Sequence, residues 1–395
     1  MSNPEVRRNI MFLSLCVALS ASAMSLIFTV AAVIGYSLAT DKSLSTLPVA
    51  FMMIAMMAMT APSAMVMAKF GRRFGFWMGA GIAMMGAVSG MGAVYYGNFW
   101  LLCVACACIG AGNAIAMQYR FAAAEAAPAE FRARAISYTM LGGLASAFIG
   151  PNLASFARNW FETVPFLGTF VALIGLQILL VIAIGQLRLP DMRGRVHDEP
   201  ARPLKTVLGQ PAVMVAIFAG ALGYAVMSFV MTATPLAILD CDYAFGDAAF
   251  IIQWHVVGMY APGFFTGNLI KRFGALKIIQ VGALLNFACL AVGLSGQDLM
   301  GNFWVSLVLL GIAWNFMFVG ATTFLTENYR PSEQARVQAI NEFAVFGTVA
   351  VASLSAGSIY AGSGWVTLLY SAAVPVGLVL LIVAGYAIRR KTQTV

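Results

Sequence analysis

Long apolar stretches of about 20 residues alternate with short polar breaks along almost the whole chain. The breaks fall at charged residues and at clusters of Pro, Gly and Asn. Because about 20 apolar residues are needed to cross the hydrocarbon core of a bilayer, the pattern predicts twelve membrane-spanning helices. They occupy residues 10–36, 45–67, 76–96, 99–120, 134–157, 164–187, 211–239, 247–270, 276–297, 302–325, 335–361 and 364–388.

The longest polar stretch separates two sets of six predicted helices. It reads RLPDMRGRVHDEPARPLK from Arg188 to Lys205. Residues 1–187 are therefore predicted to form an N-terminal six-helix bundle and residues 211–395 a C-terminal one. Residues 188–210 form a cytoplasmic loop between them. The predicted fold class is all-α integral membrane.

Composition supports the membrane class. The 395 residues are 61% hydrophobic and only 10% charged, whereas a soluble domain has roughly a quarter of its residues charged. The first apolar run is too long for the hydrophobic region of a signal peptide. We therefore interpret it as the first span.

The basic residues are distributed unequally between the two sets of loops. Of the 23 Lys and Arg residues, only Lys42 and Arg158 fall on one of the two predicted faces. Cytoplasmic loops are the ones enriched in Lys and Arg, so both termini are predicted to be cytoplasmic. The net charge of +8 is explained by this topology, and no nucleic-acid partner is expected.

The two halves resemble each other in their basic-side loops. The segment AKFGRRFG begins at Ala68, and IKRFGALK begins at Ile270. Three pairs of residues keep one offset of 203 positions: Gly71 and Gly274, Pro128 and Pro331, Glu130 and Glu333. A constant offset indicates duplication of a six-helix unit, as in transporters built from parallel repeats.

The loop after the second helix resembles a signature of the major facilitator superfamily, Gly-x-x-x-Asp-Arg-x-Gly-Arg-Arg. Lys69, Gly71, Arg72 and Arg73 match its basic and glycine positions, while Ala64 and Ala68 replace the first Gly and the Asp. The resemblance extends over essentially the whole chain. It implies the major facilitator fold, with two pseudo-symmetric six-helix bundles around a central cavity, working by alternating access.

Two pairs of soft donor residues face one another in the seventh and eighth predicted helices. Met227 and Met231 are four residues apart, as are His255 and Met259, so each pair lies on one helix face. Because the two helices are antiparallel, Met231 and His255 are predicted to lie roughly 12 Å deep. Met227 and Met259 are predicted to lie roughly 18 Å deep. Thioethers and imidazole suit Cu(I), although methionine is also an adaptable packing residue.

These four positions resemble the CcoA-type copper importers of the superfamily. The family pattern is Met-x-x-x-Met in helix 7 and His-x-x-x-Met in helix 8. The resemblance implies a monomeric secondary transporter that imports copper, as Cu(I), across the bacterial cytoplasmic (inner) membrane. Copper is then the transported substrate and no cofactor is permanently bound. The recipient would be a copper chaperone or an assembly factor of a cbb-type cytochrome oxidase.

Two other functions remain open. A carrier of an organic solute, such as riboflavin or a drug-like cation, would use His255, Trp254, Tyr224 and Trp314 as ligand contacts. A membrane sensor or assembly factor would bind metal without transporting it, but the short loops argue against it. No phosphate loop, zinc-type Cys/His spacing or paired carboxylates indicate an enzyme.

Further residues are candidates for secondary roles. Secondary metal contacts are predicted at Cys103, Cys106, Cys108 and Cys241, with small packing residues or a solvated acidic loop as the alternative. Glu342 is predicted either to couple protons or to pair with a cytoplasmic Arg. Pro235 and Pro262 would kink their helices near the ligands and so act as gates. The methionine-rich second helix is a weaker candidate for a metal relay.

Overall fold

The computed structural model describes residues 4–128, 131, 135, 138–189, 202–296 and 300–392. The first half contains α1 (Pro4–Leu38), α2 (Leu47–Phe70), α3 (Arg72–Tyr96), α4 (Phe99–Ala116), α5 (Gly142–Ala157) and α6 (Leu167–Gly185). The second half contains α7 (Pro211–Asp240), α8 (Phe245–Tyr260), α9 (Ala275–Leu294) and α10 (Met300–Thr326), followed by one long helix (Gln334–Thr392). Short helices lie at Tyr119–Ala126 after α4, Leu204–Leu208 before α7 and Gly263–Phe273 after α8. None of these described residues forms a strand, so the predicted all-α fold is confirmed.

The last helix contains two spans. Within the described ranges, eleven helical stretches are long and apolar enough to cross a membrane, and the last of them covers 55 residues. A helix of that length would extend about 80 Å, far beyond a hydrocarbon core of about 30 Å. Gly364 interrupts it with φ 76° and ψ −177°. We therefore label residues 334–363 as α11 and residues 365–392 as α12.

Apolar side chains cover the outer surfaces of both halves of the chain. Phe156 and Leu381 are each 72% exposed, and Trp100 is 62% exposed. In water these side chains would be unfavourably solvated, whereas lipid tails accommodate them. The most buried spans are α1 and α7. In the apolar segment of each, 72% and 78% of the residues are buried, respectively. The chain is thus a multi-pass membrane protein.

Two compact units divide the chain at its middle. One comprises residues 1–195 and the other residues 196–395. The residues of the sequence repeat adopt the same backbone conformation in each unit. Gly71, between α2 and α3, has φ 89° and ψ 159°, and Gly274, before α9, has φ 86° and ψ 149°. The repeated glycine therefore makes the same tight turn twice, in a region that side chains other than glycine rarely adopt.

Each unit also holds a bidentate Arg–Glu pair in its basic loops. Arg72 donates from Nε to Glu125 Oε2 at 2.6 Å and from Nη2 to Oε1. In the second unit, Arg202 donates from Nε and Nη2 to Glu333 at 2.6 and 2.7 Å. These bonds, with backbone N–H donors of Arg202 and Arg330, lower the pKa of Glu333 from 4.5 to about 2. Arg72 thus finds its carboxylate on the segment after α4, although Ala68 replaces the acid of the signature.

We expect Gly274→Ala to lower the thermal unfolding midpoint in detergent. A side chain at this φ and ψ costs about 1–3 kcal/mol, although the space around its Cβ is open. The control is Gly267→Ala, at a helical glycine whose added Cβ also meets nothing within 4 Å. There the midpoint should hold or rise, because Ala is the better helix former. Equal effects of the two substitutions would contradict the backbone argument.

Candidate functional site

α7 carries two of the predicted ligands in an enclosed position. Met227 is 3% exposed and Met231 is 4% exposed. They lie one and two turns beyond Gly223, on the same helix stripe. A Cβ added at Gly223 would lie 3.0 Å from the Cβ of Met317 in α10. The stripe that carries both thioethers therefore packs against α10.

α8 presents the other two predicted ligands toward the same neighbour. His255 is fully buried and Met259 is 8% exposed. A Cβ added at Gly311 of α10 would overlap the carbonyl oxygen of His255 and lie 2.9 Å from the Met259 nitrogen. The glycine thus permits close approach of two helix backbones. All four predicted ligand residues belong to helix faces that α10 contacts.

The imidazole of His255 is held by one ring nitrogen and leaves the other without a partner. Its Nδ1 lies 2.8 Å from the carbonyl oxygen of Leu307 in α10. A carbonyl only accepts, so Nδ1 carries the hydrogen, and the neutral ring then has its lone pair on Nε2. That Nε2 is buried and has no hydrogen-bond partner. His255 therefore offers a fixed, unoccupied acceptor.

An aromatic cluster adjoins the thioether stripe of α7. Trp314 and Phe318 stack with ring centroids 5.1 Å apart and planes 11° apart. Tyr224 meets Trp314 edge-on at 5.4 Å and Phe346 at 6.2 Å. The indole Nε1 of Trp314 is buried without a hydrogen-bond acceptor. The cluster is therefore an apolar group of rings in stacked and edge-to-face contact, with one unused donor on Trp314.

α8 is interrupted directly after the ligand pair. The last helical hydrogen bond of α8 runs from the Ala261 N–H to the Val257 carbonyl, and the helix Gly263–Phe273 begins after Pro262. Asn315 of α10 donates from Nδ2 to the carbonyl oxygen of Met259 at 2.7 Å, and its Oδ1 accepts from Thr266 at 2.7 Å. The carboxamide thereby replaces hydrogen bonding that the interrupted helix lacks.

The two prolines behave differently. The break in α8 falls at Pro262, whereas α7 continues as one helix across Pro235. One missing hydrogen bond is tolerated in a helix that neighbouring turns and packing support. The two helices therefore differ in hydrogen bonding at their prolines, and the predicted kinks and the gating role of both prolines stay predictions.

The remaining candidates lie elsewhere. Cys103 and Cys106 are buried in α4, while a Cβ at Gly86 of α3 would lie 2.9 Å from the Cβ of Cys108, which places Cys108 on the α3 side. Cys241 caps α7, and Glu342 is half-buried in α11. In the described ranges no three His, Cys, Asp or Glu side chains form a metal-binding group. The secondary roles of these residues remain predictions.

Sequence reasoning missed two polar residues that support the site, one in α10 and one in the helix Gly263–Phe273. Asn315 and Thr266 are 4% and 0% exposed. A signal was available, because an uncharged polar residue inside an apolar span usually faces protein. The contact between His255 and the Leu307 carbonyl had no such signal, since any residue supplies a carbonyl.

Comparison with known proteins identifies the family to which this architecture belongs. The model of the Major Facilitator Superfamily matches residues 13–294 and 249–395. The chain belongs to this superfamily. Crystal structures of a bacterial homologue of the human lysosomal transporter Spinster, inward-facing, share its fold. The unoccupied form has a TM-score of 0.70 at 18% identity, covering 98% of this chain and 97% of that one.

Relatives within the Major Facilitator Superfamily include one with a named substrate. The riboflavin transporter RfnT of Brucella anthropi is 38% identical over 378 residues, or 95% of this chain and 94% of that protein. The uncharacterized transporter YddS of Bacillus subtilis is 27% identical over 80% of this chain and 77% of its own length. The superfamily prediction is confirmed. The narrower likeness to copper importers gains no support from these relatives.

We expect Asn315→Leu to lower the thermal midpoint and to speed hydrogen exchange at residues 259–266. The substitution leaves the Met259 carbonyl without a donor, which costs about 1–3 kcal/mol for a buried group. The control is Asn152→Leu, because Asn152 is exposed and its Nδ2 donates to a carbonyl of its own helix. Unchanged exchange around Met259 in Asn315→Leu would refute the role of the carboxamide.

Proposed function

We propose that this protein is a secondary transporter of a flat, neutral heteroaromatic solute of the riboflavin class. The single observation that carries the proposal is the cluster of Tyr224, Trp314 and Phe318 between α7 and α10. The same α10 holds the buried His255 through the Leu307 carbonyl. Aromatic faces bind flat rings by offset or edge-to-face contact. The relative that is 38% identical over most of the chain is named a riboflavin transporter, which supports the same substrate class.

Two of the unused polar atoms match such a ligand in kind. An isoalloxazine ring carries an imide N–H flanked by carbonyl oxygens. His255 Nε2 would accept from the N–H, and Trp314 Nε1 would donate to a carbonyl. Each atom is buried without a protein partner, and leaving such groups unpaired is costly. Binding would therefore recover hydrogen bonds that the unliganded protein lacks.

The loop charges indicate the membrane location and the orientation of the carrier. We place it in a bacterial cytoplasmic membrane with both termini inside, because Lys and Arg concentrate on that side. The direction is import, driven by an ion or solute gradient through alternating access. A neutral substrate requires no counter-charge in the site, which agrees with the uncharged donor set.

Copper import is a second candidate, favoured by one observation. His255 donates its Nδ1 hydrogen to a backbone carbonyl, the arrangement that fixes the tautomer of many metal-binding histidines. The nearby thioethers of Met227, Met231 and Met259 would complete a soft set for Cu(I). Transfer to a chaperone or oxidase assembly factor would then follow release inside the cell.

Uptake of radiolabelled riboflavin by a riboflavin-auxotrophic bacterium tests the first candidate. The expressed chain should restore growth at low riboflavin. Trp314→Leu should raise the concentration for half-maximal uptake roughly 2- to 10-fold, as loss of about 0.5–1.5 kcal/mol of aromatic contact implies. Trp100→Leu, at a 62% exposed indole, is the control. No riboflavin uptake at equal membrane levels of protein would reject the proposal.

Met231→Leu separates the two candidates. Leucine keeps the volume and apolar character of methionine but removes the sulfur donor. Riboflavin uptake should therefore stay near the wild-type value, whereas any uptake of radioactive copper should be abolished. Loss of riboflavin uptake with copper uptake intact would contradict both assignments of this residue. His255→Ala should impair either activity, because both use the Nε2 lone pair.

A further inference from the structure

A carboxamide lies unpaired in the apolar interior of the N-terminal unit. Gln177 belongs to α6 and is 2% exposed, and its Oε1 has no hydrogen-bond partner. Burying such a group is costly unless something bonds it, and buried polar groups in proteins are nearly always paired. The candidate solute site makes no use of this residue, because its residues belong to the other unit. Gln177 therefore indicates a separate ligand.

Gln177 is part of the wall of a small cavity within the same unit. The cavity measures about 20 Å³, and residues of α1, α3, α4 and α6 form its wall together with Tyr119. A cavity of about 10–15 Å³ or more can hold one water molecule, so this one has room for a single small ligand. In so small a space, polar groups on different sides of the wall lie within reach of the same ligand.

Tyr119 supplies a second polar group to this wall. The residue is 1% exposed, and its ring meets that of Phe76 edge-on with centroids 4.6 Å apart. Its hydroxyl bonds none of the residues that the structure describes, whereas a buried tyrosine hydroxyl usually has a partner. One ligand in the cavity could bond both this hydroxyl and the Gln177 carboxamide.

Two further side chains on the wall retain acceptor oxygens. Ser20 of α1 donates its hydroxyl hydrogen to the Cys16 carbonyl at 2.7 Å, so its lone pairs remain to accept. Asn113 of α4 donates from Nδ2 to the sulfur of Met56 at 3.8 Å. Met56 belongs to α2, and none of the described wall residues comes from that helix. The amide nitrogen is thus engaged outside the wall, and Oδ1 is the atom of this carboxamide that remains to accept.

Charge and size decide which ligand suits the cavity. Among the described residues, those that form the wall carry no charge, so a cation would be buried without a counter-charge. The acceptor oxygens require a donor, and a buried water makes about three hydrogen bonds. We propose that the N-terminal unit binds one water molecule in this cavity, between Gln177 of α6 and the Tyr119 hydroxyl. This proposal goes beyond the proposed function and does not rest on it.

The bound water joins α6 to the segment that carries Glu125. Tyr119 is the first residue of the helix Tyr119–Ala126, which follows the end of α4. Glu125, near the other end of that helix, accepts both hydrogen bonds from Arg72. A helix of two turns has little stability of its own, so its first residue needs an anchor. The water thereby helps to position the Arg72–Glu125 pair.

Tyr119→Phe in the purified full chain tests the site, because it removes one oxygen and preserves the ring. If the water is bound, the thermal midpoint should fall by roughly 1–3 °C, as loss of one hydrogen bond implies. Hydrogen exchange at residues 119–126 should become faster. Gln177→Leu should lower the midpoint as well. The double variant should fall less than the sum of the two single shifts, because both substitutions remove partners of the same water.

Thr169→Val is the matched control. Thr169 also lies in α6, and its Oγ1 is buried without a hydrogen-bond partner, but it is not part of the wall. Removing an unpaired hydroxyl should leave the midpoint unchanged or raise it. A similar gain in Tyr119→Phe and Gln177→Leu would overturn the proposal, since it would mean that their polar atoms bond nothing in the cavity. Fully additive losses would also overturn it.

Two further measurements identify the ligand directly. Replacing Na⁺ by choline in the buffer should leave the midpoint of the wild-type chain unchanged. A dependence on Na⁺ that Tyr119→Phe abolishes would overturn the assignment in favour of a cation. A density map of the full chain that resolves ordered waters should show one peak within hydrogen-bond distance of Gln177 and of the Tyr119 hydroxyl. A map that shows ordered waters elsewhere in the interior but no peak in this cavity would overturn the proposal.

Discussion

Backbone hydrogen bonding in an apolar solvent is the constraint on which the rest of this structure depends. Lipid offers no partner to a peptide N–H or C=O, so a span must be helical or obtain its missing bonds from protein. The helical hydrogen bonding of α8 is interrupted at Pro262, and Asn315 bonds the Met259 carbonyl there. The candidate site therefore adjoins an interruption in the hydrogen bonding of α8 that a side chain of α10 stabilises. A movement that separates the end of α8 from Asn315 would break this bond.

Duplication of the six-helix unit explains why the two halves repeat the same backbone features. The turn at Gly71 recurs at Gly274, and the approach of α4 to Met52 recurs as that of α10 to His255. A packing solution of this kind is reused because close backbone approach requires glycine at one defined point. The side chains beside the crossing can then differ. The two units thus share geometry, while the exchange of Met52 for His255 gives them different chemistry.

Span positions could be predicted from the sequence because apolar length is a local property. The boundary between the last two spans, expected between residues 361 and 364, coincides with the interruption at Gly364. The bond between His255 Nδ1 and the Leu307 carbonyl could not be predicted, since it depends on how two distant helices pack. The substrate also could not be predicted from the sequence. A stripe of thioethers suits a soft ion and an apolar ring alike, so Met227 and Met231 do not distinguish them.

What distinguishes the two ligands is the kind of contact that each sulfur makes. A metal needs the sulfur lone pair along one direction, whereas an aromatic ring needs only a polarisable surface at van der Waals distance. His255 Nε2 serves both, as a ligand or as an acceptor. The indole N–H of Trp314 suits only the organic ligand, because it donates a hydrogen bond to a carbonyl and does not coordinate a cation. Its Nε1, buried without an acceptor, would therefore serve the organic solute alone. In the proposed function the aromatic cluster, more than the histidine, would set the substrate class.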